Sequence, residues 1–176
     1  MVIALVAYPN MSDEHHQWIN KIRAEYPQLQ YENILPHFTL VFPIIDILDR
    51  EIVTKHIQTQ LKKIQVFQFA VRCAIPHPER KNKRSYLFLV PDEGFSNFIR
   101  SHDALYTGIL SKHLNIEIPY LPHITIGYCD DAQLIRKISI DINQQNIEIL
   151  GKIDRLALME NIDGKWNRVQ EFALSS

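Results

Sequence analysis

The sequence predicts an α+β fold of two pseudo-symmetric β-α-β-α-β lobes, with largely antiparallel sheets forming a central cleft and helices outside. Three observations predict it. A six-residue motif occurs twice, as Leu35-Pro36-His37-Phe38-Thr39-Leu40 and Leu121-Pro122-His123-Ile124-Thr125-Ile126, 86 residues apart. The same shift superposes strand-like on strand-like and helix-like on helix-like segments. One break rich in proline and charge, His77-Pro78-Glu79-Arg80-Lys81-Asn82-Lys83-Arg84, divides the copies. The chain therefore reads as one domain over 1–176. Its first lobe covers approximately 1–76 and its second approximately 84–176, with a basic connecting loop at 77–84.

The elements follow in order. Val2 to Tyr8 is an apolar run read as a first strand, and its shifted image falls near Tyr86 to Val90. Ser12 is a suitable N-cap for a helix with Trp18, Ile19, Ile22 and Tyr26 at helical spacing. Its image carries Phe95, Phe98, Ile99, His102, Leu105, Tyr106 and Ile109 in a similar stripe. Each motif then occupies a second strand. A helix follows each, with Ile52, Val53, Ile57, Leu61 and Ile64 on one face of the first and Leu134, Ile135 and Ile138 on the shorter second. Val66 to Ile75 closes the first half as a strand, and Lys152 to Asn161 closes the second. A last hairpin is expected at Asp163-Gly164, with Trp166 to Leu174 as its outer strand.

Composition narrows the function. The chain has 176 residues, 46% hydrophobic and 22% charged, with a formal net charge of -1. That balance is ordinary for a soluble globular protein and gives no global field to recruit nucleic acid or an acidic membrane. Cys73 and Cys129 lack the spacing of a disulfide framework and read as free thiols in a reducing compartment. No stretch reaches membrane-spanning length, so a cytoplasmic protein is expected. It is expected to be a monomer with no obligate protein partner. His15 and His16 project about 100° apart on a helix, so they are no metal pair. With five glycines in all, phosphate-binding glycine loops have little material. The expectation is no metal and no cofactor.

The motifs carry the chemistry. Side chains alternate along a strand, so His37, Thr39 and Val41 are expected on one face and Phe38, Leu40 and Phe42 on the other, core-facing one. The second copy repeats this with His123, Thr125 and Gly127 against Ile124, Ile126 and Tyr128. Pro36 and Pro122 favour extended backbone just before each histidine. An approximate two-fold axis would bring two imidazoles and two hydroxyls to one cleft. Such a set suits phosphodiester chemistry: one histidine takes a proton, the other gives one, and the threonine hydroxyls hold the phosphate oxygens. His37 and His123 are the candidate catalytic pair and Thr39 and Thr125 the candidate phosphate ligands. The pair predicts a bell-shaped pH–rate profile around neutral pH. Arg84 and Tyr86, beside the basic loop, are candidate substrate contacts: a guanidinium for phosphate and a ring for a base.

At these residues the sequence resembles the two-histidine (2H) phosphoesterase superfamily, and within it the 2'-5' RNA ligase-like group. The flank Pro36-His37-Phe38-Thr39-Leu40-Val41-Phe42-Pro43 is especially similar to that group's first motif. The resemblance implies a bilobal α+β fold, His37 and His123 as acid–base pair, and Thr39 and Thr125 on the phosphate. It also implies action on a 2',3'-cyclic phosphate or a 2'-5'-linked nucleotide or RNA end. Many ligase-like members carry arginine five residues after the second histidine, where this chain has Tyr128. Two rival readings remain beside hydrolysis. One is a non-catalytic nucleotide- or RNA-binding module using the same cleft; the other is a structural domain whose motif histidines lie buried and far apart.

Overall fold

A computed structural model describes residues 2–31, 34–46, 48–79 and 83–175. Arg80 and Lys81 of the basic loop lie outside the described residues. The elements are β1 (Val2–Ala7), β2 (Asn10–Met11), α1 (Asp13–Glu25), β3 (Phe38–Ile45), α2 (Arg50–Leu61) and β4 (Phe67–Glu79). The second half continues with β5 (Arg84–Glu93), α3 (Phe95–Leu105), a 3-10 turn at Gly108–His113, β6 (Ile124–Cys129), α4 (Ala132–Asn143) and β7 (Ile149–Ile153). It ends with β8 (Arg155–Ile162) and β9 (Lys165–Ala173). The order β-α-β-α-β thus appears in both halves, and the fold is α+β. No described helix is long and apolar enough to cross a membrane.

Local chemistry sets the helix starts. Ser12 accepts the His15 amide at 3.3 Å and opens α1. Asp49 accepts the amides of Glu51 and Ile52 at 2.8 and 3.1 Å. Asp131 does the same for Gln133 and Leu134 at 2.9 and 3.0 Å. Both aspartates satisfy orphan N–H groups and place negative charge at a helix N-terminus. The outer hairpin turns at Asp163 and Gly164, both with positive φ, as a tight hairpin turn requires.

The strands form one nine-stranded sheet in the order β2-β7-β4-β5-β6-β3-β1-β8-β9, and every pairing between them is antiparallel. Its two halves meet at a single residue pair, Phe38 opposite Ile124. Outward from that seam the orders match: β3-β1-β8-β9 on one side and β6-β5-β4-β7 on the other. The match shows that the strands closing the repeats are exchanged. β4, from the first half of the chain, pairs with β5, while β8, from the second half, pairs with β1. Residues 77–79 and Arg84 are accordingly strand, with Glu79 opposite Arg84 across a hairpin, rather than a loop between lobes. The single strand expected over 152–161 is two strands, parted at Asp154. β7 pairs with β4 and β8 with β1, so the chain bends there and curls the sheet.

The helices cover one face of the sheet, over a core that includes Ile19, Ile22, Leu5, Phe38, Leu40, Ile57, Phe98, Ile124, Ile126 and Ile138. The other face carries a small cluster of Ala4, Val6, Ala157 and Met159, flanked by Tyr8 and Trp166. Simple alternation fails just after each motif. In β3 the register slips so that Val6 faces Thr39 but Leu5 faces Val41, leaving Leu40 as the extra residue. In β6, Phe88 faces Thr125 but Leu87 faces Gly127, leaving Ile126 extra. Each is a β-bulge, which turns the following side chains to the opposite face. Val41 is therefore in the helix-side core and Phe42 is exposed. Gly127 turns likewise to the helix side, and Tyr128, expected in the core, faces the open side with Arg84 and Tyr86.

Candidate active site

The seam fixes the geometry of the motifs. Continuing the antiparallel register one residue either side of Phe38 and Ile124 sets His37 opposite Thr125, and Thr39 opposite His123. All four side chains leave the sheet on the face away from the helices, because Phe38 and Ile124 between them are fully buried on the helix side. A cleft of about 270 Å³ lies over this face. Its walls include His37, Thr39, Thr125, Arg84 and Tyr86. His123 is packed beside them rather than in the wall itself.

The two histidines share one local arrangement. His37 Nδ1 lies 2.8 Å from the Leu35 carbonyl and His123 Nδ1 lies 2.7 Å from the Leu121 carbonyl. A carbonyl only accepts, so Nδ1–H donates in both rings, and Nε2 carries the lone pair of the neutral form. The Leu-Pro-His triplet makes this possible. The intervening proline has no N–H and a fixed φ, and it holds the carbonyl two residues back within reach of the ring. The residue that precedes the second triplet then stitches the copies together: the Tyr120 hydroxyl donates to the Thr39 carbonyl at 3.0 Å.

The rings sit in different surroundings. His37 is half-buried and meets the edge of Tyr8, with ring centroids 6.1 Å apart. His123 stacks on Phe88 at 3.6 Å and 18°, and Phe88 stacks in turn on His77 at 5.0 Å. Burial pulls the His123 imidazolium down to a pKa of about 4, against the Leu121 hydrogen bond, with His77 and His37 adding smaller repulsions. His123 is therefore neutral at pH 7. The hydroxyls of Thr39 and Thr125 have no partner among the described residues and remain available to a ligand.

Several cleft residues escaped the sequence reading. Arg23 and Tyr31 come from α1 and the segment after it, and Tyr8, Met159 and Trp166 from the far side of the seam. Residues 29–31 reach the cleft because Gln30 and Tyr128 exchange two backbone hydrogen bonds of 2.8 Å. Gly127 permits that approach, since a Cβ there would stand 2.9 Å from the Gln30 carbonyl oxygen. Arg23 had a readable signal: it lies four residues after Ile19 and three before Tyr26, inside the apolar stripe of α1, where a charge is out of place. The two candidate substrate contacts, Arg84 and Tyr86, both line the cleft, and the Tyr86 hydroxyl donates to Glu79 at 3.2 Å. No group of three or more His, Cys, Asp or Glu able to hold a metal ion occurs among the described residues.

Residues 11–165 match the 2'-5' RNA ligase superfamily. No curated protein matches the sequence significantly. Among solved structures, Escherichia coli LigT in apo form is similar, at 14% identity and a TM-score of 0.61, with 99% of this chain and 98% of that one covered. LigT complexed with 3'-AMP gives 14% identity and a TM-score of 0.60 over 99% and 98% of the two chains. Kluyveromyces marxianus Usb1 gives 10% identity and a TM-score of 0.58 over 95% and 96%. At these identities the likeness is one of fold.

Proposed function

This chain belongs to the 2'-5' RNA ligase superfamily, one of the 2H phosphoesterases, and we propose that it is a metal-independent phosphodiesterase acting on a 2',3'-cyclic phosphate or a 2'-5'-linked nucleotide or RNA end. The observation that carries the reading is the matched pair of Nδ1-anchored imidazoles at one seam, each opposite a threonine hydroxyl of the other motif. That is the equipment for a displacement at phosphorus: one base, one acid and two donors for non-bridging oxygens. LigT and Usb1 structures hold 3'-AMP and uridine monophosphate, which supports a nucleotide-sized ligand here.

The surroundings of the rings support a division of roles. His123, neutral at pH 7, takes the proton from the attacking water as the new P–O bond forms. His37, in the acid role, gives a proton to O2' or O3' as the old P–O bond breaks. His123 then leaves protonated and His37 neutral, and one exchange with solvent resets both. Thr39 and Thr125 donate to the non-bridging oxygens, where negative charge grows. With the base titrating near 4, the acid limb of the rate profile lies well below neutrality.

The test is turnover of 2',3'-cyclic nucleotides and 2'-5' dinucleotides by His37→Ala and His123→Ala. Each loses at least ~10²-fold with the fold intact by circular dichroism. Wild-type rates in both variants would refute the acid–base assignment. Tight monophosphate binding by a wild-type protein that turns over none of these substrates would make the cleft a non-catalytic nucleotide- or RNA-binding module.

A further inference from the structure

Arg23 is 8% exposed, yet no carboxylate pairs with it among the described residues. Its Nε donates to the Ile126 carbonyl at 3.0 Å and its Nη2 to the Thr125 carbonyl at 3.1 Å. Its guanidinium carbon lies 4.7 Å from the centre of the Tyr31 ring. These contacts engage two of its five N–H donors; the others have no partner among the described residues, and the side chain borders the cleft. A buried cation without a counter-charge is expensive, because carbonyls and a ring face replace only part of the lost hydration. Burial accordingly lowers its pKa, though a guanidinium remains charged at any physiological pH.

The fold does not need a charge there. The equivalent carbonyl in the first motif, that of Thr39, is held by the neutral Tyr120 hydroxyl at 3.0 Å. A neutral donor thus suffices to fix a motif threonine, and the positive charge at the second is surplus to positioning. It sits directly behind Thr125, whose hydroxyl faces the cleft, on the same strand that carries Tyr128 three residues further on.

From the buried, carboxylate-free guanidinium behind Thr125, we infer that Arg23 is the electrostatic anchor of the anion site, drawing a substrate phosphate group onto the Thr125 hydroxyl. The occupant is a phosphate mono- or diester anion, which supplies the missing counter-charge when it binds. Arg84, over the Tyr128 ring at 4.9 Å, lines the same cleft but is less buried than Arg23, so solvent screens it more. Arg23 is thus the stronger of the two for a bound anion. The inference deepens the phosphodiesterase reading, but anion binding is measurable without turnover.

Inorganic phosphate is the probe. In wild-type protein carrying 15N-arginine, the Nε–H signal of Arg23, assigned by its loss in Arg23→Lys, shifts on titration with phosphate. By calorimetry, Arg23→Gln weakens phosphate binding about 10–100-fold and flattens its salt dependence, while Arg23→Lys recovers most of the affinity. A purely structural role predicts the reverse pattern: Lys and Gln equally damaging, a fall in kcat, and phosphate affinity unchanged. An Arg23 signal that stays still at saturating phosphate would overturn the inference, even if Arg23→Gln fails to fold. A moving Arg23 signal in a protein that hydrolyses nothing would retain the anchor and refute the phosphodiesterase.

Discussion

The two motifs differ less in backbone than in what surrounds them. Both histidines reach back across a proline to a leucine carbonyl, and both threonines are followed by a bulged residue, Leu40 or Ile126. Around this shared frame the first copy has a half-buried ring beside Tyr8 and a carbonyl held by a phenol. The second has a ring packed on Phe88, a carbonyl held by a guanidinium, and a glycine where the first has Val41. Duplication supplies the symmetric pair of groups, and packing on Phe88 keeps the second imidazole neutral. A displacement at phosphorus needs both.

The comparison can be broken most severely at the rings. Loss of either imidazole should cost at least ~10²-fold in turnover, but with different pH signatures. His123→Ala removes the acid limb, whereas Phe88→Leu, which loosens the stack, moves that limb toward neutral pH. Steady-state rates from pH 4 to 8 distinguish the two. Stability should carry the same asymmetry. His123 is held neutral in the fold with a pKa near 4, while in the unfolded chain it titrates near its ordinary 6.5. The unfolded state therefore binds more protons between these values. Stability is full above about 6.5 and falls by about 3 kcal/mol as the pH drops toward 4. Urea titrations should show that loss in the wild type and a smaller one in His123→Gln.

The threonines sharpen the comparison further. Thr39→Val and Thr125→Val each remove one oxyanion donor at nearly constant volume, which should lower kcat about 10–100-fold. The loss should be larger for Thr125, the hydroxyl backed by Arg23. The smallest effect is at the unequal pair Val41 and Gly127. Gly127→Ala drives a methyl group against the Gln30 carbonyl and Leu29, and about 1–3 kcal/mol of stability should go with it. The docked 29–31 segment should loosen, which hydrogen exchange at the Gln30 amide would report.

Much of this was readable before any coordinates. The repeat, the element order, the outer hairpin at Asp163-Gly164 and the shared face of His37 with Thr39 all follow from spacing, since short-range backbone periodicity dictates them. What was not readable depends on contacts between distant residues. Strand alternation alone placed Tyr128 in the core and Val41 at the cleft, because a bulge leaves no periodic trace in the sequence. The exchange of β4 and β8 was likewise hidden, since adjacency in the chain suggested that each half closes its own sheet. Arg23 stood in plain view as a charge on an apolar stripe; its meaning needed the strand it grips.

The exchanged strands also bear on how the chain is made. β1 has one edge partner within the first half, β3, and the other, β8, some 150 residues downstream, Val2 lying opposite Asn161. During synthesis β1 and β3 are therefore released long before β8, the partner of the other edge of β1. That apolar edge of β1 stays unpaired until β8 has emerged. Such long-range pairings slow folding and leave nascent chains open to aggregation. A chain cut short before β8 leaves β1 paired with β3 alone and takes Met159 and Trp166 out of the cleft wall.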